Sequence, residues 1–182
     1  MRSMNWAFVA LVAVVGLALV VFAFEPGRDG MEGMRTLVRE RFPDVRQLPP
    51  ADLVAWLADT NRPAPLLLDV RTPTEFAVSH LPGARQVDPA ISGPALAATL
   101  SPDRPVVVYC SVGYRSSDCA TRLLQAGFTN VMNLEGSIFQ WANEGHPVER
   151  DGQRVREVHP YNATFGKLLR PELRPATVEA PR

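Results

Sequence analysis

Two cysteines and a single lysine are unusually few for a chain of 182 residues, and each shortage closes off a class of explanation. Two cysteines cannot build the disulfide framework that staples small loop-rich folds, and two thiols fit either redox compartment. His146 and His159 have no cysteine or acid at metal-ligand spacing, so no metal site is predicted, and nothing calls for a cofactor. The 19 basic and 19 acidic residues cancel. No basic cluster breaks that balance, which argues against a nucleic-acid surface. Lys167 is the only lysine beside 18 arginines, which we read as genomic base composition rather than mechanism. No internal repeat is present.

What is present begins with a long apolar run. Residues Ala7 to Phe24 read AFVALVAVVGLALVVFAF without one charge. At about 1.5 Å per residue such a helix reaches about 27 Å, close to the ~30 Å hydrocarbon core of a bilayer. Trp6 sits where an interfacial aromatic sits. The segment is expected to be a transmembrane helix over residues 1–25. A cleaved signal peptide is the alternative, with Val21-Phe22-Ala23 as cleavage site, although Phe22, Phe24 and Glu25-Pro26 make a poor context. Arg2 lies on one side of the run; Arg28, Arg35, Arg39 and Arg41 lie on the other, interleaved with acids. The expectation is a single-pass protein of a bacterial inner membrane, its domain leaning to the cytoplasmic face. A periplasmic or secreted domain is the other reading.

Residues 26–44 are polar and glycine-containing and read as a tether, with a short helix over Met34–Phe42. The next hundred residues alternate. Ala51–Asp59 has Leu53, Trp56 and Leu57 on one helical face. Leu66–Val70 is a continuous apolar run, as in a strand buried on both faces. Thr72-Pro73-Thr74-Glu75 is a helix start, with a capping threonine, proline at the first position and an acid in the first turn. A short strand (Ala84–Val87) and a short helix (Pro94–Leu100) follow. Val106–Tyr109 is the most strongly β segment. Ser116–Ala126 is helical, Asn130–Leu134 a strand, and Ile138–Glu144 a final helix holding Phe139 and Trp141. This rhythm predicts an α/β domain with a mostly parallel sheet over residues 45–150. Residues 151–182 read as an irregular extension, disordered from Pro171 onward.

The stretch VVYCSVGYRSS places Cys110 at the carboxyl end of a strand, where open parallel sheets bind ligands. The free N–H groups and positive end of the following helix face the loop. Residues Ser111, Val112, Gly113, Tyr114, Arg115 and Ser116 are expected to curl around the sulfur as an anion-binding loop, with Gly113 supplying backbone freedom and Arg115 a full charge. Each feature favours thiolate over thiol and suits a nucleophilic sulfur. Cys119 lies on the apolar face of the next helix and is expected to be inert core.

Three separated segments carry a resemblance. LLLDVRTPTEFAVSHLPGAR (Leu66–Arg85), VVVYCSVGYRSS (Val106–Ser117) and LLQAGFTNVMNLEGSIFQWANEGHPV in that order resemble the rhodanese-like domain of single-domain sulfurtransferases, over about residues 45–150. The resemblance implies a sheet of about five parallel strands with helices on both faces. It implies that Cys110 takes a sulfane sulfur from a small donor such as thiosulfate or a persulfide, and passes it to a thiol or cyanide acceptor. Related phosphatases use a C-x5-R loop; Cys110 to Arg115 is C-x4-R, and no general-acid aspartate loop is evident. The loop carries one cation, which weakens the case for thiosulfate as the donor. The rival reading is a non-catalytic binding or sulfur-carrier module docking a protein partner at the membrane.

Asp69, Arg71 and Glu75 fall at the same sheet edge. They are expected either to line the entrance or to form ion pairs that support the loop. His80 is expected to bind a backbone group, Trp56, Phe139 and Trp141 to be core, and Asn162-Ala163-Thr164 to be a chance glycosylation triplet.

Overall fold

Val106, Val107, Val108 and Tyr109 are all fully buried, which requires apolar cover on both faces of the strand they form, β4. The computed structural model, which describes residues 26–176, provides it. The chain runs α1 (Pro26–Arg41), β1 (Arg46–Leu48), α2 (Pro50–Ala58), β2 (Leu66–Asp69), α3 (Pro73–Val78), β3 (Arg85–Gln86) and α4 (Gly93–Ala97). It continues through β4 (Val106–Tyr109), α5 (Tyr114–Gln125), β5 (Val131–Leu134) and α6 (Ser137–Asn143), then a hairpin of β6 (Val148–Arg150) and β7 (Gln153–Val155). Short 3-10 turns close it at Phe165–Leu168 and Pro171–Leu173.

Five strands pair in the order β1-β5-β4-β2-β3, every pair parallel. The period-two alternation of strand side chains divides the core into two layers. Leu67, Val107, Tyr109, Met132 and Leu134 face one way, onto Leu53 and Trp56 of α2 and Ile138, Phe139 and Trp141 of α6. Leu68, Val106, Val108 and Val131 face the other, onto Leu96 of α4 and Cys119, Ala120 and Leu123 of α5. The sheet is therefore covered by helices on both faces, as the resemblance implies, and β4 lies at its centre.

The ends of the chain differ from expectation. The expected transmembrane helix lies outside the described residues; among the described residues no helix is long and apolar enough to cross a membrane. The segment expected as a tether over residues 26–44 is instead the 16-residue helix α1. Its Met31 joins one core layer and its Val38 the other. Arg35 and Arg39 hold the buried Glu135 carboxylate at 2.7 and 2.6 Å, which fixes the helix against the end of β5. The polar composition that suggested a tether is the solvent face of an amphipathic helix. Nor is the extension irregular throughout: β6 and β7 form an antiparallel pair, and Val158, Leu169 and Leu173 enter the core. Leu173 lies within the stretch expected to be disordered; its burial and the 3-10 turn around it correct that expectation through Ala176.

Candidate active site

The edge of the sheet at the carboxyl ends of β4, β2 and β5 brings Cys110, Glu75 and Ser137 together. Cys110 follows β4 directly. Helix α5 starts at Tyr114, two residues earlier than the sequence suggests, so the loop is only Cys110 to Gly113. Gly113 makes the tight entry possible with φ of 107°, a left-handed value that side chains resist. A Cβ there would also sit 3.2 Å from Asn133 Nδ2.

This short turn aims donors at the sulfur. The Gly113 N–H donates to Cys110 Sγ at 3.2 Å, and the Ser116 hydroxyl lies 3.4 Å away. Burial alone would push the Cys110 thiol up. The Arg115 charge, Ser116 and the Gly113 N–H outweigh it, and the pKa lies below the ordinary thiol value. The residue is only 1% exposed, so a thiolate here meets oriented N–H groups rather than bulk water. Helix α5 adds the positive end of its dipole. The Ser116 hydroxyl has one proton and two acceptors; at 2.6 Å from Asn133 Oδ1 it is already well placed, so Asn133 competes with the sulfur for it.

Glu75 organises the far side of the loop. Thr72 caps α3, and Glu75 closes the capping box on the Thr72 N–H at 3.0 Å. The same carboxylate accepts two bonds from Arg115, at 2.7 and 2.9 Å, and one from Ser111 Oγ at 3.1 Å. Burial would raise its pKa, but Arg115, the Thr72 N–H and Arg71 hold it down at about 2. Arg71 does not line an entrance: it is fully buried on Asp69, with Nη2 to Oδ2 at 2.6 Å, and it donates to the Ser79 carbonyl at 2.6 Å. Asp69 and Arg71 thus fix both ends of α3, and α3 delivers Glu75. Tyr114 points outward against Phe42, the residue after α1, edge to face at 5.1 Å, and Val112 is buried.

The structure adds three residues that the sequence reading did not assign to the site. Ser137 Oγ accepts the Cys110 N–H at 3.1 Å and donates to the Leu134 carbonyl; Ser137 holds a left-handed φ of 52° to do so. Asn133 links Ser116 to Gln47 on β1, donating to Gln47 Oε1 at 2.6 Å. Tyr161 lies over Arg115, with the guanidinium carbon 4.8 Å from the ring centre. The signal for Ser137 and Asn133 was their place at the end of a strand, but only strand order shows that β5 neighbours β4. Elsewhere, His80 bonds the Phe76 carbonyl at 3.1 Å. Among the described residues no group of histidines, cysteines and acids could hold a metal ion.

The family model for the rhodanese-like domain matches residues 50–144, which is the stretch carrying β2 to α6 and the whole Cys110 loop. The chain belongs to the rhodanese-like domain family. A sulfurtransferase of Allochromatium vinosum is 38% identical over 104 residues, 57% of this chain and 94% of that protein. The thiosulfate sulfurtransferase GlpE of Stutzerimonas stutzeri is 31% identical over 113 residues, covering 61% of this chain and 98% of its own. Among solved structures, a rhodanese-related protein of Thermoplasma volcanium superimposes with a TM-score of 0.50 at 29% identity, over 57% of this chain and 97% of that one. The match leaves α1, β1 and everything after residue 144 outside it, so Arg35, Arg39 and Tyr161 lie beyond the matched residues.

Proposed function

We propose that this rhodanese-like protein is a sulfurtransferase whose nucleophile is Cys110. The observation that carries the reading is a buried sulfur at a strand end, facing the Gly113 N–H and Ser116 hydroxyl, with its pKa lowered by Arg115. The thiolate attacks the outer sulfur of a sulfane donor, the donor's S–S bond breaks, and its leaving group departs with the electron pair. Cys110 then carries a persulfide, which the loop N–H groups hold until a thiol or cyanide acceptor removes the outer sulfur. Ser111, Val112 and Gly113 form the loop, Tyr114, Arg115 and Ser116 the first turn of α5 that closes it, and Asp69, Arg71 and Glu75 support it. No cofactor enters the cycle. The relatives named as sulfurtransferases support the same activity, and an intact nucleophile in a donor-lined turn favours turnover over a docking module.

The test is intact mass before and after incubation with thiosulfate or glutathione persulfide, beside the Cys110→Ser variant. A gain of one sulfur atom, reversed by cyanide and absent in the variant, is the expected result. No gain on a free, reduced Cys110 with either donor overturns the reading. We further infer a membrane tether at residues 7–24, supported by that uncharged run, with the domain on the cytoplasmic face of an inner membrane. Retention of the full chain in the membrane pellet after alkaline carbonate, with release by detergent, is expected; release by carbonate alone counts against it.

A further inference from the structure

Arg115, in the first turn of α5, is the only cation among residues 110–116, and the structure leaves little of it free. Its guanidinium edge is taken by Glu75, through two bonds of 2.7 and 2.9 Å, and by Ser111 Oγ at 3.0 Å. One face is covered by the Tyr161 ring at 4.8 Å. Arg71 pairs with Asp69, its Nη1 left without a hydrogen-bond partner, and Arg35 and Arg39 pair with Glu135.

The Tyr161 contact is built. Tyr161 holds φ of 63°, a conformation that a bulky side chain avoids unless its surroundings enforce it. Here they do: the Tyr161 N–H donates to His159 Nδ1 at 3.0 Å, and the Asn162 N–H to the Pro160 carbonyl at 2.7 Å. His159 and Pro160 are buried, and a Cβ on Gly166 would come within 2.9 Å of Pro160 Cβ. Asn162 Oδ1 then caps the following 3-10 turn by accepting from the Thr164 and Phe165 N–H groups. The ring is presented to Arg115 on one side and meets Phe165 edge to face on the other, while its residue stays 43% exposed.

The two donor classes make different demands on that cation. With thiosulfate, Cys110–S⁻ attacks the outer sulfur, the S–S bond breaks and sulfite leaves with the electron pair, so three negative charges gather at the loop throughout. With a persulfide R–S–SH, Cys110–S⁻ takes the outer sulfur with its proton to give Cys110–S–SH, and R–S⁻ leaves; only one charge is present. The first path gains more from an uncommitted cation than the second. Resting on the sulfurtransferase reading, we propose that Tyr161 is a specificity-determining residue: by covering Arg115 it withholds the loop's cation from dianionic donors and turns the site towards thiol-derived persulfides.

The experiment measures initial rates of Cys110 persulfidation by intact mass on the full chain, with thiosulfate and with glutathione persulfide, in wild type, Tyr161→Ala and Tyr161→Phe. The thiosulfate-to-persulfide rate ratio is expected to rise about tenfold in Tyr161→Ala, with the gain in the thiosulfate KM, and to stay within about twofold of wild type in Tyr161→Phe, which keeps the ring face. A general loss of folding would lower both rates and leave the ratio alone. A ratio unmoved in Tyr161→Ala, with Cys110 loading normally, overturns the role of Tyr161 and leaves the sulfurtransferase reading standing. Failure of both donors on wild type overturns that reading and the proposal with it.

Discussion

Cys110 and Cys119 are equally buried and belong to the same apolar layer, yet their thiols are driven in opposite directions. Cys119 lies within α5, where the backbone N–H groups are spent on the helix itself. Burial dominates there, Arg122 offsets little of it, and the thiol is pushed up to about 11. Cys110 stands one turn ahead of the same helix, where N–H groups have no helical partner. Burial acts on it too, and is outweighed by Arg115, Ser116 and Gly113. Burial does not decide whether a cysteine is reactive; what faces the sulfur does.

The most direct way to break this contrast is to delete each sulfur in turn. Cys110→Ser should abolish persulfide loading, while Cys119→Ala should retain at least about half the wild-type rate, since the removed group packs and does no chemistry; intact mass reads both. Next, a small uncharged alkylating agent at pH 7 should modify Cys110 about a hundredfold faster than Cys119. The Cys110 rate should reach its midpoint below the ordinary thiol value, and Cys119 should react only near pH 11 or on unfolding. Equal rates would mean that the loop does not activate its thiol.

Glu75→Gln sharpens the comparison from the carboxylate side. It leaves Arg115 partly buried without its counter-charge, and should cost about 2–3 kcal/mol in a urea titration. The wild-type contribution has a defined window. The Glu75 pKa is depressed on folding from about 4.5 to about 2, so its stabilisation is fully present above the unfolded value and fades as pH falls towards about 2. The variant should lack that part of the acid dependence. The smallest effect is expected from Ser116→Ala, which removes one hydroxyl near the sulfur. It should raise the Cys110 alkylation midpoint and slow loading about threefold.

Much of the scaffold can be read from local chemistry. The β-branched run Val106–Val108 announces a doubly covered strand, and Thr72-Pro73-Thr74-Glu75 announces α3, down to the capping box. The parts that escape depend on partners distant in sequence. Arg46–Leu48 is three residues long, with only Leu48 buried, and becomes a strand because β5 is there to pair with it. Helix α1 reads as a tether until Glu135 supplies the charge that its arginines need. Ser137 and Asn133 enter the site because β5 lies beside β4, an adjacency no local pattern contains. The hairpin is a different case. Asp151-Gly152 is a strong turn signal, and both residues take the positive φ it implies, 52° and 72°, so this turn is legible in the sequence. In the site, the loop residues and Glu75 are legible as types, whereas the commitment of Arg115 to Tyr161 needs the fold of residues 156–176.

The strand order carries a consequence for how the protein is made. β1 pairs only with β5, and α1 is clamped by Glu135 just beyond it. A ribosome adding ~5–20 residues per second must extend the chain by roughly ninety more residues after β1 before its partner exists, a delay of about five to twenty seconds. β1 and α1 thus wait for a partner made much later in synthesis. During that interval Met31 and Val38 have no core to enter, so α1 stays open to a chaperone.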